Sequence, residues 1–367
     1  MKVLIVGGTG PTGPFIVQGL VDRGYEPVIL HRGTHEVDFV EAYEHIHADP
    51  HFEEPLREVL EGRSFDLVIA SYGRLRILVE VLKGVTDRLI TIGGTAYAKT
   101  PHSAPATEDS PRSPTHKLVQ RIVETEQSLR DAHDQGHFNL SHLRYPNLYG
   151  PRQLSPREWS IIRRLEDGRR EIPVMDGGLT LESRAFVENA AHAVLLTVDQ
   201  PESSAGQFYH VADSFTPSDA DRALAIAQAM GLEVRLVNYP REASRPARFW
   251  AVGRNLEYMD DPGPPPTHHK LLDITKLEQD LGYRDLVTFD EAISRTVEWY
   301  RQNPLERGGK EESRIGDAFD YEGEDRLREA LDEYLERANQ LEFADVTLSH
   351  SYDHPKKPQT ADKGDTA

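Results

Sequence analysis

The feature that most constrains this chain is its opening. An apolar run at residues 3–6 breaks into Gly-Gly-Thr-Gly-Pro-Thr-Gly and resumes as an amphipathic stretch from Phe15. A strand that runs into Gly7-x-x-Gly10-x-x-Gly13, with a helix beginning near Pro14, is a strand–turn–helix unit. Glycine at these steps permits the tight turn, lets the backbone approach a bound group, and allows close packing of helix on strand. The helix start would direct free N–H groups and the positive end of its dipole at the turn. Pro14 suits a first-turn position, where its missing N–H is not needed. What such a turn receives is the diphosphate of a dinucleotide, and Gly7, Thr9, Gly10, Pro11, Thr12 and Gly13 are the residues expected around it.

The next 140 residues repeat the same alternation, with apolar runs at 28–30, 67–70 and 89–92 and helical patterns near 15–22, 55–61 and 75–83. Short runs that are apolar on both faces, separated by amphipathic stretches, argue for a parallel sheet covered by helices. A longer helix is predicted over 115–133, with Leu118, Val119, Ile122, Val123 and Leu129 as its apolar stripe, followed by a strand at 140–144. From about Gly150, prolines and paired glycines cut the chain into shorter elements. A loop and helix are expected at 271–283 and helices at 289–300 and 326–341. The fold class is therefore α/β: a Rossmann-type doubly wound parallel sheet with a smaller C-terminal substrate lobe. The expected division is a nucleotide domain over 1–150 with later segments returning to it, a substrate lobe over 151–301, an acidic helical extension over 302–349, and a disordered tail over 350–367, which has almost no apolar residues.

Composition narrows the function. A formal charge of −19 argues against a nucleic-acid partner. The absence of cysteine removes disulfides, thiolate metal sites and cysteine nucleophiles, and fits a reducing, cytoplasmic compartment. No apolar run approaches a membrane span, and Met1 leading directly into a strand predicts no signal peptide. The 16 histidines show no metal-ligand spacing such as His-Glu-x-x-His, so no metal is assigned; there is no Gly-x-Ser-x-Gly elbow either. The partner expected is a small-molecule substrate, with a homodimer as the assembly to look for.

Two positions refine the nucleotide. After the second run come His31 and Arg32, where NAD-selective sites usually place an acid for the ribose hydroxyls. Arg32 would instead meet a 2′-phosphate, or stand solvated, so the cofactor is NADP or NAD, with NADP preferred. Asp49, in His-Ile-His-Ala-Asp-Pro, would accept from the adenine amino group or serve as a turn aspartate.

With these residues in place, the chain resembles the extended short-chain dehydrogenase/reductases, the NAD-dependent epimerase/dehydratase family, over residues 1–301. The resemblance rests on the glycine turn, Asp49, LITIGGTAY at 89–97, LRYPNLYGPRQ at 143–153, RAFVENAAHAV at 184–194, FYHVAD at 208–213 and DITKLEQDLGY at 273–283. It implies that Thr95 hydrogen-bonds the reacting oxygen, that Pro146 and Asn147 meet the nicotinamide and substrate, and that Arg152 and Arg184 face a phosphate-bearing substrate. Read as residues alone, Thr95 could equally cap a strand end, and Arg184 could pair with a local acid.

One departure stands out. The family uses a Tyr-x-x-x-Lys pair on the long helix, and here no tyrosine lies between Tyr97 and Tyr145. One register puts His116 and Gln120 in place of the pair, the other Lys117 and Arg121. His116 could carry the proton, Lys117 could hold a ribose, and Tyr97 is a second donor candidate. The leading reading is an NAD(P)-dependent oxidoreductase or epimerase/dehydratase with an atypical catalytic site, acting on a hydroxyl or carbonyl small molecule, a nucleotide sugar being one candidate. The alternative is a catalytically degenerate NADP(H)-binding sensor or regulatory protein. A third reading follows family members that bind RNA, and the charge opposes it.

Overall fold

In the computed structural model the described residues are 1–33, 41–71, 74–95, 105–112, 117–250, 269–344, 351–352 and 357, with backbone alone at 118, 119, 248 and 249. The apolar runs become β1 (Lys2–Val6), β2 (Glu26–His31), β3 (Glu44–His47), β4 (Leu67–Ser71), β5 (Arg88–Gly94) and β6 (Asn139–Tyr145). With β10 (Phe208–His210) they form one seven-stranded sheet, ordered β10-β6-β5-β4-β1-β2-β3, in which every pairing is parallel. Successive residues of β1 face opposite sides. Val3 and Ile5 join a core with α1 (Gly13–Asp22) and α6 (Val187–Asp199), whereas Leu4 and Val6 join one with α2 (Glu53–Leu60), α3 (Leu75–Val81) and α4 (Lys117–Asp134). Both faces are thus covered, which is why the strands read as continuously apolar. The strand order reverses between β1 and β4, and the glycine turn leaves β1 at that point.

Close packing of α1 requires Gly19, where an added Cβ would sit 2.2 Å from the Leu195 side chain of α6. Residues 147–319 carry two small parallel pairs outside the main sheet. β7 (Asn147–Tyr149) pairs with β9 (Arg184–Phe186), and β8 (Glu171–Met175) pairs with β11 (Arg235–Tyr239). Besides α6, the α-helices here are α5 (Arg157–Glu166), α7 (Asp219–Ala229), α8 (Thr275–Leu281), α9 (Phe289–Gln302) and α10 (Lys310–Ser313). The Ser218 hydroxyl and the Asp221 carboxylate form a reciprocal capping box at the start of α7.

Contacts gather Met1–Phe319 into one compact unit, so the first part of the stretch expected as an extension belongs to it. Trp159 Nε1 of α5 donates to Glu312 Oε1 at 2.8 Å, and Arg164 lies 2.6 Å from Asp317 Oδ2, both groups buried. The second unit, Asp320–Ala367, contains α11 (Tyr321–Asn339), which starts five residues before the predicted 326 because Asp320 accepts from the Gly323 N–H and caps it. The expected tail falls almost wholly outside the described residues, as do residues 113–116 at the predicted start of the long helix. That helix departs from its expected stripe. Leu129 and Ala132 are buried, Ile122 and Val123 only in part, and the charged Glu126 is 3% exposed.

Candidate functional site

The backbone of the turn makes the site. Gly7 and Gly8 both have positive φ, 98° and 76°, which side chains rarely adopt. The Gly7 N–H donates to the Leu30 carbonyl at 2.8 Å, tying the turn to β2. At Gly13 a Cβ would lie 1.7 Å from the Gly8 carbonyl oxygen, so no side chain fits. At Gly10 a Cβ would meet nothing within 4 Å. Three glycines therefore serve the turn's own geometry, while Gly10 leaves space outside it. That space opens into a cleft of about 370 Å³.

Of the expected residues, Gly10, Pro11, Thr12, Gly13, Pro146 and Asn147 line this cleft. Pro146 and Asn147 arrive because β6 ends beside β5 with Gly94 opposite Tyr145, which also puts Thr95 at the level of Pro146; the Thr95 N–H donates to the Tyr145 carbonyl at 3.2 Å. Thr95 is half-buried but is not part of the lining, nor are Gly7 and Thr9. Gly8, Ser71, Ile92, Leu148, Gln153 and Leu154, none of them among the expected site residues, complete the wall. The doubled glycine and the small residue ending β4 at the switch point were the available signals for Gly8 and Ser71.

The remaining expected residues separate. Lys117 is the exposed first residue of α4, and His116 and Tyr97 lie outside the described residues. Arg32 is exposed just past β2. His31, at the strand's last position, stands edge-on to His47 with ring centroids 4.8 Å apart. Asp49 is engaged locally: its Oδ1 accepts from the His51 N–H at 3.0 Å and from the His51 ring at 2.7 Å. Burial would raise its pKa, but these bonds and the charge of Arg32 bring it below the usual carboxylate range. Arg152 holds its guanidinium over the Trp299 ring at 5.1 Å. Arg184 is deeply buried and donates to Glu182 at 2.8 Å, Glu158 at 3.0 Å and the Trp250 carbonyl at 3.1 Å.

Two neighbouring tyrosines, Tyr145 and Tyr149, are bonded internally. Tyr145 is 2% exposed and its hydroxyl donates to the Ala190 carbonyl at 2.9 Å; Tyr149 donates to Asp213 at 2.8 Å, and burial raises its pKa far above the ordinary value. Among the described residues no group of three or more His, Asp or Glu side chains could hold a metal, and no helix is long and apolar enough to cross a membrane.

The sheet order, the two covered faces and the glycine turn at the switch point define a Rossmann-type α/β protein. Residues 70–212 match the sequence model of the NAD dependent epimerase/dehydratase family. A dTDP-glucose 4,6-dehydratase from Actinoplanes sp. is 25% identical over 161 residues, 44% of this chain and 43% of that protein. A chloroplast stem-loop binding protein of 41 kDa from Arabidopsis thaliana is 26% identical over 262 residues, 66% of this chain and 67% of that one. This chain thus spans less than half of the first relative and about two thirds of the second. The crystal structure of UDP-glucuronic acid 4-epimerase from Bacillus cereus with UDP-glucuronic acid and NAD superposes with a TM-score of 0.66 at 16% identity, covering 83% of this chain and all of that one, a likeness of fold.

Proposed function

We propose that the chain is an NAD(P)-dependent oxidoreductase or epimerase/dehydratase that binds the cofactor diphosphate on the glycine turn and a hydroxyl or carbonyl small molecule in the cleft beside it. The observation that carries this reading is the open space over Gly10 in a turn whose other glycines are sterically required, continuous with Pro146 and Asn147. The turn presents backbone N–H groups and the start of α1 to an anion. Bound nicotinamide would exchange hydride with a substrate carbon. Arg32, with no acid at the end of β2, favours the 2′-phosphate of NADP. The nucleotide-sugar enzymes among the relatives make a sugar nucleotide the first substrate class to test. A cytoplasmic setting belongs to the same proposal.

The proton work falls to Thr95 together with His116, with Lys117 supporting the cofactor ribose and Tyr97 as the competing donor. The internal engagement of Tyr145 and Tyr149 supports this. Titration with NADP and NAD tests the binding half; NADP is expected to bind more tightly. Turnover tests the chemistry: His116→Ala should lower the rate by about a hundredfold with cofactor affinity kept. A fully active His116→Ala beside a dead Tyr97→Phe would move the donor to Tyr97. Tight cofactor binding with no substrate ever turned over would favour the NADP(H)-sensing reading, which the missing tyrosine motivates.

A further inference from the structure

Asn147 ties the cleft to a buried charge cluster behind it, none of whose charged residues is part of the lining. Asn147, in its lining, donates its side-chain amide to Glu182 Oε1 at 2.7 Å. Glu182 is 3% exposed, and its other oxygen accepts from Arg184 Nε at 2.8 Å and Arg157 Nη1 at 3.2 Å. Lys270 Nζ lies 3.8 Å from Oε1. Arg184 turns its remaining nitrogens to Glu158 and the Trp250 carbonyl. One carboxylate next to the cleft therefore gathers three cations and the amide that lines it. A fourth cation, Arg222, lies over the rings of Tyr149 and Phe289 in the field of Glu158 and Asp219, and is not part of the lining. Arg152, the cation of the loop after β7, is stacked over Trp299.

A diphosphate entering past Asn147 would meet the Glu182 carboxylate, a like charge in a poorly solvated place. To gain a counter-charge it would have to draw Arg184, Arg157 or Lys270 from a partner they already hold in the interior, where separating such a pair is costly. The three cations hold the Glu182 carboxyl well below the usual range despite its burial, so it stays ionised there. We infer that Glu182 is a specificity-determining residue that closes this cleft to diphosphate-bearing substrates, and that the substrate is an uncharged polyol or carbonyl compound. The inference rests on the cofactor-cleft reading above and narrows its substrate class.

The test is calorimetric titration of UDP and dTDP into the protein already saturated with cofactor, so that the glycine turn is not available to the probe. Wild type is expected to bind both with Kd weaker than about 1 mM. Glu182→Gln, which leaves cations beside Asn147 without their anion, is expected to gain at least roughly tenfold in affinity, since one charged contact is worth about that much. Micromolar binding by wild type overturns the inference, and so does a folded Glu182→Gln protein with no gain. If Glu182→Gln does not fold, the wild-type titration decides alone. Cofactor saturation is read in the same sample. Its failure would sink the dinucleotide reading, whereas saturation followed by tight UDP binding sinks only the role of Glu182.

Discussion

At the residue scale, what was legible is what is local. The turn could be read because its constraint lies within seven residues: Gly13 cannot carry a Cβ because of the Gly8 carbonyl, and the two stand only five positions apart. Arg184 could not be resolved, because its partners Glu182 and Glu158 stand 2 and 26 residues away and only the tertiary fold brings the second, from α5, to it. Gln153 and Leu154 were missed because a loop's approach to another strand's end leaves no pattern in sequence. The contrast between two glycines gives a test. Gly10→Val should leave the fold and its thermal midpoint nearly unchanged, since its side chain meets no protein atom, yet abolish cofactor binding by filling the approach to the turn. Gly13→Ala should lose both, because the new carbon overlaps a backbone oxygen. Cofactor titration and circular dichroism on the two variants check this. Unchanged affinity in Gly10→Val would remove the turn from the site.

At the element scale, the alternation of strands and helices was readable from apolar runs, whereas the content of α4 was not. The expected stripe assumed that a buried helix face is apolar, but α4 buries Glu126, whose carboxylate takes Arg144 of β6 at 2.7 Å and Arg112 at its side. No rule of spacing announces a charge whose partner arrives on a strand. Beneath it, His142 of β6 is fully enclosed, with Nδ1 2.7 Å from Thr91 Oγ1 and the Phe208 ring 5.1 Å away. Burial first, then the charges of Arg112 and Arg130, push its pKa down to about 3, and burial pushes His210 down to about 4. A depressed histidine pKa means that the unfolded chain binds protons the native one refuses. Stability is then full above about pH 6.5 and falls as pH drops toward the folded values, by up to about 1.4 kcal/mol per pH unit for each group. Asp213, raised to about 6 by burial, works the other way between its unfolded value and pH 6 and offsets one of the two. Glu108 and Glu126, also raised by burial, act in the same direction as Asp213. His142→Asn should therefore remove the share of the stability loss that His142 contributes to the slope between pH 7 and 5, while lowering the denaturant midpoint at pH 7. A slope unchanged by His142→Asn would mean that the native ring takes up protons as it does in the unfolded chain.

At the scale of the whole molecule, the acidic C-terminal stretch looked like one appendage because its composition is uniform. The contacts divide it at Phe319. Residues 304–319 have little helix of their own beyond α10, yet they bury Ile315 completely, place the Phe319 ring 3.9 Å beneath Arg163, and give Glu312 and Asp317 to Trp159, Ser160, Arg163 and Arg164 of α5. Arg164 is 1% exposed, so its side chain depends on Asp317 for its counter-charge. Removing that partner while leaving the cation inside should cost about 3–5 kcal/mol, a large share of the stability of an ordinary domain. A chain ending at Asn303 is therefore expected to melt well below the full protein or to aggregate. A chain ending at Phe319 should keep the melting temperature of the first unit and its cofactor affinity, because α5 then retains every one of these partners. Scanning calorimetry on the two truncations, with cofactor titration on whichever folds, distinguishes the cases. Equal melting of the 303 truncation and the full chain would show that the segment lies on α5 without supporting it. Loss of the fold in the 319 truncation would show instead that the division at Phe319 does not mark where the stability of the first unit ends.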